Sequence, residues 1–233
     1  MEDLRTEKFP DEIAAIRRAV RISERVWHEV LPLLRAGVRE RDIAAEITYR
    51  HRLQGADGDA FPPIVLFGKR TSLIHGQPSA ARLRSGQPVL MDFGCRVDGY
   101  VSDLTRTIFL GKASRRMREI YAAVREAQTI GREALHPGIP AVEVDRVVRD
   151  HIVACGFGPY FEHGLGHGIG LEVHERPALS WRNTDPLEEG AVVTVEPGVY
   201  IPGVGGVRIE DDMLVTADGA ASLSRLPRDL MEL

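Results

Sequence analysis

The stretch DFGCRVDGYVSD, residues 92–103, decides how this chain folds. It reads as a β-hairpin. Apolar Val89, Leu90 and Met91 lead in, Arg96-Val97-Asp98-Gly99 has turn chemistry, and an alternating strand follows. A turn centred between Val97 and Asp98 sets Asp92 directly across from Asp103. Their Cβ atoms are then about 5 Å apart, and like charges at that spacing destabilise a strand pair. The hairpin therefore needs a proton, a basic partner or a cation. Arg106 and Arg208 are the basic residues placed to serve as partners.

Upstream, Pro10-Asp11-Glu12 opens a helix with an apolar face of Ile13, Ile16, Val20, Val26, Val30 and Leu34. Pro32 is expected to kink or divide it, and Gly37 to end it. A second helix is expected over 41–53, then strands over 64–76 and 88–110. Helices return over 114–135 and 142–155, followed by glycine-rich strands to Val215. The order repeats, and so do the residues. LRAGVRERDIAAEI (34–47) aligns with LHPGIPAVEVDRVV (135–148), and SGQPVLMDFG (85–94) with EGAVVTVEPG (189–198). GYVSD (99–103) aligns with GVRIE (206–210). Asp92 falls on Glu196 and Asp103 on Glu210, with IPGVGG (201–206) supplying the second turn around Gly203. The fold class is thus α+β. Two pseudo-symmetric halves, roughly 11–111 and 112–216, make one domain over 1–233 with their sheets joined at a shared centre.

Four carboxylates converging there would repel unless some are protonated, paired or bound to cations. One acidic pair on a strand is ordinarily a solvated face; two matching pairs favour metal. FEHGLGHGIGLEVHERP (161–177) adds His163, His167 and His174, with glycines that permit close backbone approach. Imidazole beside carboxylates suits Mn, Fe, Co or Zn. Two such ions lower the pKa of water and polarise a carbonyl, the chemistry of amide hydrolysis. His28, His51, His136 and His151 lie in helical or loop patterns and read as structural.

Other classes are excluded on composition and motif. The net charge is −4, and the 30 basic residues form no block, which argues against nucleic acid or a membrane surface as partner. Two cysteines, Cys95 and Cys155, make no disulfide framework. With no signal-peptide pattern and no spanning run, a cytoplasmic address is expected. There is no P-loop, no GxSxG, no dinucleotide fingerprint and no HExxH.

These motifs resemble those of the pita-bread metallopeptidases, which include Xaa-Pro dipeptidases (prolidases), Xaa-Pro aminopeptidases, methionine aminopeptidases and creatinases. The matching pieces are EKFPDEIAAIRRAV, IHGQPSAARL, VLMDFGCRVDGYVSDLTRTIFLG, HGLGHGIGLEVHERP and VVTVEPGVYIPGVGGVRIEDDMLV, spread over almost the whole chain. The resemblance implies a curved antiparallel sheet with helices outside. It also implies a dinuclear site with five ligands. Asp92 and Asp103 would hold one ion, Asp103 and Glu210 would bridge, and His167 and Glu196 would complete the second.

The wording DGYVSDLTRT and GHGIGLEVHERPAL, with the short spacing from Glu196 to Glu210, is similar to the Xaa-Pro branch. That implies an exopeptidase cutting the N-terminal bond of Xaa-Pro peptides through a hydroxide bridging two divalent ions. Mn or Co are the expected occupants, with Zn or Fe compatible. Glu196 would carry the proton, and His75 and His174 would face the scissile carbonyl. His163, Arg208 and Tyr100 would contact substrate, although Arg208 reads equally well as a structural ion pair and Tyr100 as a packing residue. A methionine aminopeptidase and a non-catalytic peptide-binding homologue are the alternatives. The Xaa-Pro branch usually carries an N-terminal domain before the helix that begins here near Pro10. That domain helps form dimers and limits substrate length, so a homodimer and strict dipeptide specificity stay open expectations.

Overall fold

The computed structural model describes residues 5–233. Helix α1 spans Pro10–Val30. Pro10 suits the first turn, where no N–H is needed, and Glu12 accepts the Phe9 N–H at 2.7 Å. Pro32 lies beyond the helix end, in a 3₁₀ turn over Leu31–Leu33, so it stops α1 rather than kinking it. Gly37, at φ +92°, then turns the chain into α2, Glu40–Leu53.

Six strands follow: β1 (Gly58–Asp59), β2 (Ile64–Phe67), β3 (Gln87–Phe93), β4 (Cys95–Val97), β5 (Tyr100–Val101) and β6 (Leu104–Leu110). They pair antiparallel in the orders β2-β3-β6 and β1-β4-β5. The strand expected to reach residue 76 stops at Phe67. Gly68, at φ +58°, starts a 3₁₀ turn, and the loop beyond it carries His75. Ala19, Ile22, Val26 and Trp27 of α1 pack with Ile43 and Ile47 of α2 over Val65, Val89, Met91 and Phe93. Another edge of α1, Ile16 and Val20, buries against Val101, Ile169 and Val192. One helix thus ties the two halves together through apolar burial.

Helix α3 (Arg115–Ala134) is capped by the Ser114 hydroxyl, which accepts from the Met117 N–H; α4 covers Ala141–Ala154. The remaining strands are β7 (Gly166–Gly168), β8 (Glu175–Leu179), β9 (Val192–Val195), β10 (Gly198–Ile201), β11 (Gly205–Arg208), β12 (Asp211–Thr216) and β13 (Gly219–Ser222). Their order is β13-β12-β9-β7-β8, with β10 and β11 as a separate hairpin. Apolar residues of α3 and α4, including Ile120, Val124, Val144 and Val148, cover Val193, Val195, Val207 and Met213.

The register corrects the opening hairpin. Asp92 pairs with Thr105, and Val97 with Tyr100, so Asp103 sits diagonal to Asp92 rather than opposite. The turn is the two residues Asp98-Gly99, both left-handed at φ +52° and +84°. Paired left-handed residues match the twist of the flanking strands, and this moves the hairpin centre one position along the chain. Asp103 keeps its face, because the shift in partner is two residues. Between β3 and β4 the ladder breaks at Gly94, where a Cβ would lie 1.7 Å from the Ser102 carbonyl oxygen. The second hairpin has the expected centre: Gly198 pairs with Arg208, and Val195 with Asp211. Glu196 and Glu210 fall in the break between these two ladders. The halves meet where the Glu210 N–H donates to the Thr105 carbonyl at 3.1 Å, and the Arg208 N–H to the Thr107 hydroxyl at 3.1 Å.

Candidate metal centre and substrate cavity

The ladder breaks at Gly94 and after Val195 bring carboxylates to one place. Asp103, His167 and Glu210 each offer a ligand atom, and these atoms lie within 4.8 Å of one another. His167 Nε2 is 3.2 Å from Glu196 Oε1 and 3.8 Å from Asp103 Oδ2. Its Nδ1 donates to the Gly168 carbonyl at 3.1 Å, which turns Nε2 toward the carboxylates. A ring nitrogen facing several anions carries a proton or meets a cation between them.

Asp92 joins from the other side. Its Oδ2 accepts from Arg208 Nη2, while its Oδ1 is buried without a hydrogen-bond partner. Asp103 Oδ1 is likewise buried and unpartnered, and the Asp103 N–H donates to Asp212 Oδ2 at 3.0 Å. Orphaned buried oxygens are rare and ask for an explanation. Here two of them belong to carboxylates in the cluster that holds the His167 imidazole, the donor set of a transition-metal site. The residues fit the group.

Threonines fix the two glutamates. The Thr105 hydroxyl donates to Glu210 Oε2 at 2.5 Å and accepts from Arg208 Nε at 3.1 Å. The Thr194 hydroxyl donates to Glu196 Oε1 at 3.1 Å and accepts from the His167 N–H at 3.0 Å. Arg208 is therefore occupied on every side, because Nη1 also donates to the Tyr200 hydroxyl at 2.8 Å. That hydroxyl in turn donates to His163 Nε2 at 2.9 Å, and His163 Nδ1 donates to the Gly164 carbonyl at 2.7 Å. A continuous chain runs from Asp92 through Arg208 and Tyr200 to His163.

The electrostatics are those of crowded anions. Burial, then the charges of Glu210 and Asp92, holds Asp103 well above the usual carboxylate range. Burial, then Glu196 and Asp92, does the same to Glu210, and burial raises Asp92 despite Arg208. Burial also lifts Asp212 to about 8. Glu196 goes the other way. Burial opposes its ionisation, but the His167 hydrogen bond and the charges of His167, His163 and Arg208 outweigh that and bring it to about 2. Burial favours neutral His167, yet Glu196 raises it above the usual histidine value. Burial lowers His163, and burial with the charge of His167 lowers His174.

These groups line a cavity of about 780 Å³. Asp92, Asp103, His163, His167, His174, Glu196, Arg208 and Glu210 all reach it, and His75 joins from the loop after β2. The rings of His174 and His167 lie 4.2 Å apart. Apolar lining comes from Phe61, Pro62, Pro63, Ile64 and Ile74. Tyr100 is not among the lining residues; its hydroxyl donates to Glu12 at 2.5 Å and ties β5 to the first turn of α1, in keeping with a packing role. Tyr200, Thr105, Thr194 and Asp212 do not line the cavity either, but each bonds a residue that does, and the sequence did not single them out. Arg106 leaves the site to pair with Asp211 at 2.7 Å. His51 is a buried partner of Asp59 at 2.6 Å, in keeping with a structural role.

The fold and cavity have counterparts among known proteins. The model of metallopeptidase family M24 matches residues 14–217. The Xaa-Pro dipeptidase of Pyrococcus furiosus is 42% identical over 231 residues, which is 99% of this chain and 66% of that protein. The solved Xaa-Pro dipeptidase of Bacillus anthracis superposes with a TM-score of 0.98 at 43% identity, over 100% of this chain and 65% of that one. The X-Pro aminopeptidase of Thermotoga maritima gives 0.98 at 40% identity, over 100% and 66%. The chain thus spans about two thirds of the length of the relatives it matches. The architecture is the pita-bread α+β fold that the motifs led us to expect, and the chain belongs to metallopeptidase family M24.

Proposed function

We propose that this chain is the catalytic unit of a two-metal exopeptidase that hydrolyses the N-terminal bond of Xaa-Pro peptides. The observation that carries the reading is the convergence of Asp103, His167 and Glu210 within 4.8 Å, beside the unpartnered buried oxygens of Asp92 and Asp103. The family match and the names of the relatives support it.

In this reading Asp92, Asp103, His167, Glu196 and Glu210 hold two divalent cations, Mn or Co by preference for oxygen-rich donors. Bound there, the ions supply an acidified water and a polarised carbonyl. Glu196 Oε1 is engaged by Thr194 and His167. We assign its Oε2 to take the proton of the attacking water and deliver it to the leaving nitrogen. His174, favoured as the neutral form by burial, donates an N–H to the scissile carbonyl oxygen, and His75 lines the same cavity. His163 is oriented by Tyr200 to contact the substrate. A proline nitrogen brings no N–H, so the ring beside the cut needs shape and not an acceptor. The wall of Phe61, Pro62, Pro63 and Ile74 supplies shape.

The test is a panel of Ala-Pro, Ala-Pro-Ala and Met-Ala peptides, each with Mn, Co and Zn. Metal-dependent release of alanine from the proline peptides supports the reading. Preference for Met-Ala moves the chain to methionine aminopeptidase chemistry, and no turnover of any peptide leaves a binding scaffold.

A further inference from the structure

Two buried acids on the helices have no part in the cluster, yet each organises a loop that enters the cavity. Glu40, the first residue of α2, is fully buried. Its Oε1 accepts the Phe67 N–H at 2.8 Å. Its Oε2 accepts the Ser79 N–H at 2.8 Å and the Ser79 hydroxyl at 2.6 Å. One carboxylate thus pins both ends of the loop that carries Ile74, His75, Gln77 and Pro78 into the cavity. Arg70 lies within that loop. Its Nε donates to both Glu40 oxygens at 3.0 Å, and its Nη2 reaches the Gln77 carbonyl at 2.8 Å.

The second half repeats the device with different residues. Asp145 of α4 is buried, and its Oδ1 accepts the Leu165 N–H at 3.0 Å. Arg149, one turn along, donates Nε to Oδ2 at 2.9 Å and Nη2 to Oδ1 at 3.0 Å. The same guanidinium donates to the carbonyls of Phe161 at 2.9 Å and His163 at 2.8 Å. It is also sandwiched over the rings of Phe161 and Trp181, at 4.2 and 4.7 Å. A carboxylate takes the loop's N–H groups while its arginine takes the loop's carbonyls. A planar guanidinium makes these bonds in fixed directions, which a lysine cannot reproduce.

We propose that Glu40–Arg70 and Asp145–Arg149 are paired positioning devices, each clasping the loop that sets one cavity histidine, His75 and His163, against the substrate. The proposal rests on the peptidase reading for its catalytic consequence, but not for its structural one. Glu40 and Arg70 bond none of the five cluster residues, so loss of Arg70 should displace His75 and leave the metal donors in place. The Asp145 loop lies closer to the cluster, because the Leu165 carbonyl accepts the Glu196 N–H at 2.9 Å.

The experiment uses Arg149→Lys and Arg70→Lys, which keep the charge, with Asp145→Asn as the harsher companion. The first readout is the ring ¹H–¹³C spectrum of the histidines in the metal-free protein, which needs no turnover. We expect His163 to shift or broaden in Arg149→Lys, His75 to do so in Arg70→Lys, and His167 to stay put in Arg70→Lys. The second is the split of constants on Ala-Pro-Ala: kcat should fall about tenfold or more, since small displacements of a positioned group cost up to about 10²-fold. Affinity for Mn, titrated directly, should stay within about twofold in Arg70→Lys, as expected for sites that do not share partners. Unmoved histidine resonances and unchanged kcat in folded Lys variants would overturn the proposal, leaving the pairs as fold-holding only. Equal loss of Mn affinity and kcat in Arg70→Lys would overturn it too, by placing the effect on the cluster. If the parent cuts no peptide, the peptidase reading fails while the spectra still decide the proposal.

Discussion

Arg208 Nη2 donates to Asp92 Oδ2 across the seam between the two halves of the molecule. Both groups are buried, and the same guanidinium reaches Tyr200 and Thr105. This contact joins the carboxylate cluster to Tyr200 and, through it, to His163.

Arg208→Met should therefore destabilise the metal-free protein. Removing one partner of a buried ion pair leaves an uncompensated charge and costs about 3–5 kcal/mol. Urea denaturation in chelator reads this directly. A loss under about 1 kcal/mol, the level of an exposed pair, would show that Asp92 does not need the arginine.

Tyr200→Phe removes the hydroxyl that accepts from Arg208 and donates to His163. The stability cost should be about 1–3 kcal/mol, because both partners are left buried and short of a bond. Turnover should fall further than metal affinity, since Tyr200 orients His163 and ligates nothing. Matched titrations of Mn and of Ala-Pro-Ala check that order.

The pH dependence of the metal-free protein follows from the crowded carboxylates. Asp103 and Glu210 sit well above the usual range, and Asp212 at about 8. Unfolded, each titrates near about 4. Between those values the folded state holds protons that the unfolded state has released, so stability falls as pH rises. Glu196, at about 2, has the opposite sign: its contribution is present above about 4 and is lost as pH falls toward 2. Melting of chelated protein should thus drop from pH 5 to pH 8, at a slope of about 1.4 kcal/mol per pH unit for each such group. Loading with Mn should flatten that slope and release protons, measurable by calorimetry in buffers of different ionisation enthalpy. A chelated protein more stable at pH 8 than at pH 5 would contradict the assignment.

Gly94→Ala addresses the ladder break. The added methyl would meet the Ser102 carbonyl oxygen at 1.7 Å, where only backbone can yield. Overpacking of this kind costs about 3 kcal/mol, and the shift falls on the segment that carries Asp103. Loss of stability without loss of Mn binding would separate the break from the cluster.

Much of this was legible in the sequence. Four acidic members of the cluster were readable because the same hairpin occurs twice, and Asp92 with Glu196 and Asp103 with Glu210 fall on one another; His167 stood out through the glycines around it. The expected centre of the first hairpin lies one position from the observed one, although Asp98-Gly99 carries the signal for a tight left-handed turn. Tyr100 and Tyr200 look alike in local pattern. Only tertiary pairing sends one to Glu12 and the other to Arg208. Glu40 and Asp145 were hidden for another reason. Each sits in an amphipathic helix at a position that reads as surface, and its partners lie in loops distant in sequence. Long-range satisfaction of backbone groups leaves no local periodicity to detect.

The most direct measurement is metal content and peptide cleavage in the parent and in Asp103→Ala. The parent should bind two equivalents of Mn, lose Ala-Pro-Ala cleavage on complete chelation and regain it on adding metal back. Asp103→Ala, still folded by circular dichroism, should cleave nothing at any metal concentration. Full activity in that variant, or turnover by fully metal-stripped parent, would contradict the account.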